Sequence, residues 1–276
     1  MRGLVWVAGI AVAGYLAVVA GLYLYQRQLL YHPDRSRPLL GALARLGVHE
    51  IAVPTADGLS LLAWYLPPRG ERPVVVYFHG NGGHIGYRAD RVERFAREGY
   101  GALMLEYRGY GGNPGEPSEA GLFEDAAAAL RFVATQGVPG RRTVLYGESL
   151  GTGIAVQAAT THEVGAVVLE SPYTSVAAAA QFHYPFIPVS WMVSDRYDSL
   201  SRIEQVEAPI LMLHGARDGV IPLSLGEALF AAAAEPKEQW IAPQAGHADL
   251  GYFGALDIAV AFIERHVLKT EPSSQD

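Results

Sequence analysis

The chain has 276 residues, half of them hydrophobic, and a net charge of −7, enough apolar material to bury one large core. An acidic balance without a basic stripe excludes nucleic acid as a partner, and zero cysteines exclude a thiol nucleophile, disulfides and thiolate metal sites. With no metal-ligand spacing, no phosphate-binding Gly-Lys-Ser/Thr loop and no dinucleotide fingerprint, no metal and no cofactor is implied.

The first 25 residues differ from the rest. From Gly3 to Tyr25 there is no charged side chain, and Arg2 and Arg27 flank the run. As a helix it would span about 35 Å, enough for a hydrocarbon core of about 30 Å. Trp6 at one end and Tyr23, Tyr25 and Tyr31 at the other suit the interfacial aromatic belts. A cleaved signal peptide has a shorter apolar region, roughly 7–15 residues. Residues 1–26 are therefore expected to be an uncleaved, single-pass membrane anchor. The amino terminus and Arg2 stand on one side of it, and Arg27, Arg35 and Arg37 on the other. That count leans toward a cytoplasmic catalytic domain, although exported, N-anchored domains begin in the same way. Gly9, Ala13, Ala17 and Gly21 recur every four residues, a small-residue face that would suit a homodimer through the anchor.

Residues 27–48 read as a polar, Pro-containing connector. Alternation over 61–66 predicts an early antiparallel strand. Strands are then expected at 74–78, 101–106, 142–146, 165–169, 209–213 and 238–241. Helices are expected at 87–98, 119–136, 151–160, 223–234 and 253–267. This alternation implies an α/β fold with a mostly parallel sheet and helices on both faces. The domain would run over 27–269, with a disordered tail at 270–276. Between the strand at 165–169 and the next lies a break, 173–200, in which Phe182, Tyr184, Phe186, Ile187, Trp191 and Met192 are punctuated by Pro185 and Pro188. It predicts either a loop on the sheet edge or a short cap, in which Tyr184, Phe186 and Trp191 would line an acyl pocket.

The chemistry is concentrated in Gly147-Glu148-Ser149-Leu150-Gly151. This G-x-S-x-G pattern sits between a predicted strand and a predicted helix, the setting of a nucleophile elbow. Asp218 and His247 follow, each in a loop beyond a predicted strand. Ser, acid, His is the chain order of α/β-hydrolases. A serine hydroxyl is a poor nucleophile until a base takes its proton. Histidine suits that role near neutral pH, and a carboxylate on its other nitrogen fixes the tautomer and stabilises the imidazolium. The tetrahedral intermediate needs two donors. One is the N–H of Leu150, the residue after the nucleophile. The other comes from His79-Gly80-Asn81-Gly82-Gly83, which resembles an HGGG-type oxyanion loop; it is assigned to the Asn81 N–H, with Gly82 as the alternative. Asp195, Asp198 and Asp249 compete for the acid role, but none directly leaves a predicted strand. His214 ends one and is expected to support the Asp218 loop.

Further motifs carry a resemblance. Gln28-Leu29-Leu30-Tyr31-His32-Pro33, Glu106 to Gly111, Pro117-Ser118-Glu119 to Asp125, Glu170 to Ser175 and His183-Tyr184-Pro185 resemble the membrane-anchored α/β-hydrolase-domain serine hydrolases. The likeness covers nearly the whole chain. That group includes depalmitoylating thioesterases, so the resemblance implies hydrolysis of an acyl ester or thioester on a small-molecule or lipid substrate. The same triad could cleave amides as a serine peptidase. A membrane-tethered binding protein on a hydrolase fold is the reading from another class.

Overall fold

The structure, a computed structural model, describes residues 2–268; the tail expected at 270–276 lies outside them. Eight strands form one sheet: β1 (His49–Pro54), β2 (Ser60–Leu66), β3 (Val74–Phe78), β4 (Gly101–Leu105), β5 (Thr143–Glu148), β6 (Ala166–Glu170), β7 (Ile210–Gly215) and β8 (Lys237–Ala242). Their order is β8-β7-β6-β5-β3-β4-β2-β1. Only β2 runs against its neighbours; the remaining pairings are parallel. This is the α/β-hydrolase arrangement expected from the sequence.

The strands are continuous apolar runs because both faces are covered. Leu145 on β5 and Val76 on β3 enter one core with Leu122 and Leu130 of α4 (Glu119–Thr135), Ile154 of α5 (Leu150–Thr161) and Leu229 of α8 (Leu223–Ala232). Val144, Tyr146 and Tyr77 point to the opposite core. There they meet Val92 and Phe95 of α3 (Ala89–Arg97) and Phe262 and Ile263 of α9 (Ala255–Ile263). Alternation along each strand thus feeds two layers.

Two features correct the sequence reading, and a third decides between its two readings of 173–200. Strand β1 was not expected, yet its buried Val53 and half-buried Ile51 alternate with open neighbours, and Asp57-Gly58 turns the chain into β2. The segment 27–48 is more than a connector. Tyr31, Leu43 and Val48 are buried, and His32–Pro33 pairs in parallel with Gly82–Gly83. The break at 173–200 holds two short helices, α6 (Val176–His183) and α7 (Val189–Met192), so a small cap stands there.

At the N-terminus α1 (Arg2–Leu24) is a 23-residue helix with no buried residue. It is long and apolar enough to cross a membrane. The short α2 (Gln26–Leu30) follows.

Candidate active site

Ser149 closes β5 and precedes α5 with φ 50° and ψ −116°. A non-glycine residue at positive φ persists only where the surroundings over-determine it. Here they do. A Cβ on Gly147 would lie 2.5 Å from the Gly151 carbonyl oxygen, and one on Gly151 would lie 2.0 Å from that of Phe78. Ser149 N–H donates to the Glu170 carbonyl (2.8 Å), fixing the turn to β6. Although Ser149 occupies the N-cap position of α5, its side chain caps nothing. The hydroxyl instead lies 2.9 Å from His247 Nε2.

His247 Nδ1 lies 2.7 Å from Asp218 Oδ2. The other carboxylate oxygen accepts from the Val220 and Ile221 N–H groups, both at 2.8 Å. Burial alone would raise the Asp218 carboxyl. The hydrogen bond and charge of His247, with the Ile221 and Val220 N–H groups, outweigh it and hold Asp218 below its ordinary range. His214 supports this loop, with Nε2 3.0 Å from the Ile221 carbonyl and 3.5 Å from Asp218 Oδ2. Because a carbonyl only accepts, Nε2 carries the proton. Burial pushes His214 below the usual histidine range, so the ring stays neutral.

The expected oxyanion loop lies against Ser149: a Cβ on Gly80 would meet Ser149 Cβ at 3.5 Å. Asn81 is held by its side-chain amide nitrogen and its backbone carbonyl. Its amide donates to the Leu30 carbonyl (2.8 Å), and its own carbonyl accepts from Tyr110 Oη (2.8 Å) and His32 N–H (3.0 Å). Its N–H has no partner among the described residues. Leu150 is the first residue of α5, whose N–H has no intrahelical acceptor. Gly82 belongs to the same loop, and its carbonyl accepts from Arg88 Nη1 (3.1 Å).

Two ion pairs underlie the elbow, and sequence reasoning missed both. Arg88 and Arg91, one turn apart at the start of α3, reach Glu148 (2.7 Å) and Glu170 (2.8 Å). These carboxylates are register partners on β5 and β6. Tyr77 donates to Glu148 and Tyr146 to Glu170. Burial would raise Glu148, but the charge and hydrogen bond of Arg88, the charge of Arg91 and the Tyr77 hydroxyl bring it down to about 2.

The cap residues stand apart from this cluster. Phe186 and Trp191 lie on its outer face, 88% and 91% exposed. Tyr184 lines a cleft between the cap and the α1–α2 junction. None of the three joins Ser149, His247 and Asp218. The competing acids are also engaged elsewhere. Asp195 accepts from Arg27 Nε (2.9 Å), Tyr31 Oη (3.1 Å) and the Glu119 N–H (3.1 Å), Asp198 accepts from Ser201 N–H (3.3 Å), and Asp249 from Gly246 N–H (2.7 Å).

A family model described as Serine aminopeptidase, S33 matches residues 69–200, a stretch that includes Ser149 and stops before Asp218 and His247. An uncharacterized protein of Mycobacterium tuberculosis is 40% identical over 236 residues, covering 84% of this chain and 84% of its own. Lysophosphatidylserine lipase ABHD12 of Danio rerio is 27% identical, over 68% of this chain and 59% of its own length. Among solved structures, the Pyrococcus furiosus esterase Pf2001 aligns with a TM-score of 0.71 at 17% identity, over 86% of this chain and 98% of that one. Sheet order, elbow geometry and these similarities agree: the chain belongs to the α/β-hydrolase family.

Proposed function

We propose that the protein is a membrane-anchored serine hydrolase that cleaves an acyl ester or thioester through an acyl-enzyme on Ser149. The observation that carries this reading is the unbroken hydrogen-bond line from the Ser149 hydroxyl through His247 to Asp218. His247 takes the hydroxyl proton as Ser149 Oγ attacks the acyl carbon. The N–H groups of Leu150 and Asn81 receive the oxyanion, each contributing about a hundredfold to a thousandfold in rate. Collapse of the tetrahedral intermediate breaks the bond to the leaving oxygen or sulfur, which takes the proton from His247. Water, deprotonated by the same ring, then releases the acid and restores Ser149.

The description of the matching family model favours a second reading, an aminopeptidase. Such an enzyme must hold a substrate ammonium beside the nucleophile, and a free carboxylate is the obvious means. The carboxylates flanking the elbow, Glu148 and Glu170, are each taken by an arginine. Esters and thioesters need no such group. The lipase similarity points to acyl chains carried by lipids, which an anchored domain would meet at the membrane surface.

A substrate panel tests the proposal. Nitrophenyl esters and thioesters of increasing acyl length, with aminoacyl nitroanilides alongside, would be assayed on the wild type and Ser149→Ala. We expect Ser149-dependent turnover of the acyl compounds and none of the nitroanilides; the reverse preference would favour the peptidase.

A further inference from the structure

The outer face of the cap combines two properties that rarely occur together in water. Its side chains are apolar and open: Phe182, Tyr184, Phe186 and Trp191 are all exposed. Its backbone carbonyls are nevertheless all paired. Every carbonyl from Tyr184 to Ser190 accepts a hydrogen bond from within the chain. Gln181 Nε2 donates to the Tyr184 (3.1 Å) and Pro185 (3.3 Å) carbonyls, and Tyr15 Oη to that of Phe186 (2.9 Å). The N–H groups of Val189, Trp191 and Val193 serve Ile187, Pro188 and Val189 at 2.8, 3.1 and 3.0 Å. Arg196 Nη1 donates to Ser190 (2.6 Å). Prolines at 185 and 188 also remove two N–H donors that would otherwise need partners.

An exposed turn in water gains little from such completeness, because solvent satisfies its carbonyls. Hydrocarbon offers no water, so a carbonyl of non-helical backbone enters it at least cost when it is satisfied internally. Tyr15 supplies the depth. It stands nine residues before the end of α1 at Leu24, roughly 13 Å along the axis at 1.5 Å per residue. A bilayer core is about 30 Å thick, so a turn bonded to Tyr15 lies beside the apolar helix, inside the layer that helix would cross.

We propose that the tip of the cap, residues 184–192, is immersed in the apolar layer of a phospholipid bilayer beside the second half of α1, with Phe186 and Trp191 facing the acyl chains. This rests on α1 being a membrane anchor, as proposed above. The cap also reaches the active site: His183 Nε2 lies 2.8 Å from the Val220 carbonyl, two residues beyond Asp218. An acyl chain leaving the bilayer beside α1 would therefore arrive next to the acid loop.

The absence of cysteine makes the test clean, because a single introduced thiol takes a nitroxide label without background. Phe186→Cys, Val7→Cys and Gln136→Cys would be made in the full chain, labelled and reconstituted in phosphatidylcholine–phosphatidylglycerol vesicles. Power saturation with oxygen and with a water-soluble nickel chelate then reports whether each label lies in lipid or water. Val7, on α1, reads the anchor; Gln136, at the far end of α4 from the cap, reads the aqueous domain. We expect the Phe186 label to shift to the oxygen-rich, nickel-protected side with Val7, while Gln136 stays nickel-accessible. A lipid-like Val7 label with a water-like Phe186 label would overturn this inference and leave the anchor standing. Water-like labels at both sites would overturn both. Spin–spin broadening at Phe186 that vanishes on dilution with unlabelled protein would assign the face to a second copy and also overturn it.

Discussion

Arg88 and Glu148 form a largely buried ion pair at the root of the nucleophile elbow, Nη2 to Oε1 at 2.7 Å, and the same guanidinium donates to the Gly82 carbonyl at 3.1 Å. One side chain ties the strand that delivers Ser149 to the loop that carries Asn81. The elbow and the loop come from different crossovers of the sheet, and in the proposed mechanism their relative placement decides whether the Leu150 and Asn81 N–H groups converge on one oxygen.

Loosening that tie should therefore cost rate more than binding. We predict that Arg88→Ala lowers kcat on a short nitrophenyl ester by about a hundredfold, the scale of a misplacement of about 1 Å, with little change in KM. Arg88→Lys should recover only part of it, because a point charge cannot hold Glu148 and Gly82 together. A rise in KM at unchanged kcat would place Arg88 in substrate binding instead.

Glu148 also predicts a pH signature. Its carboxyl is held below the ordinary value of 4.5, at about 2. A depressed folded value contributes stability above the unfolded value and loses it as pH falls through the folded one. Thermal stability of the detergent-solubilised protein should fall between pH 4.5 and 2 more steeply for the wild type than for Glu148→Gln. Parallel curves would remove Glu148 from the acid response.

Much of this site was legible in the sequence, for a physical reason. Ser149, Asp218 and His247 stand in the loops beyond β5, β7 and β8, so each sat just past a readable apolar run. The rest depended on neighbours that sequence spacing does not reveal. The Arg88–Glu148 and Arg91–Glu170 pairs exist because β5 and β6 lie in the register that sets Glu148 opposite Glu170. The packing of Leu30 and His32 on the oxyanion loop is a contact about fifty residues apart in the chain. Strand β1 left a readable alternation at Ile51 and Val53, followed by Asp57-Gly58, and that signal could have found it.

Removal of the anchor should separate fold from solubility. We predict that deleting residues 2–24 leaves turnover on a water-soluble ester within about tenfold of the full chain, since no triad member is lost and one exposed hydrogen bond from Tyr15 is worth about 1 kcal/mol. The cleft-lining Val176, Ile187 and Met192 would lose their cover, so the truncated protein should require detergent to stay monodisperse. A cut extending through Tyr31 should be far worse, because Tyr31 is buried and bonds Asp195 and Tyr197 at 3.1 and 2.8 Å. Light scattering and activity distinguish the two truncations.

Asp218→Asn should act through the imidazole. The amide favours the tautomer that turns the nitrogen facing Ser149 from acceptor to donor, and the rate should fall by about four powers of ten with little change in substrate binding. Asp195→Asn, whose carboxylate serves Arg27 and Tyr31, should shift activity far less. Near-normal turnover in Asp218→Asn, together with a large loss in Asp195→Asn, would move the acid role to the cap.

The most direct measurement is fluorophosphonate labelling of the full chain and of Ser149→Ala, with the modified peptide identified by mass spectrometry. We predict stoichiometric labelling at Ser149 in the wild type, and loss of both labelling and ester turnover in the variant while the domain stays folded, since the Ser149 side chain caps no helix and loses one hydrogen bond, to His247, worth about 1 kcal/mol. Undiminished turnover in Ser149→Ala, or labelling at another residue, would contradict the assignment of Ser149 as the nucleophile.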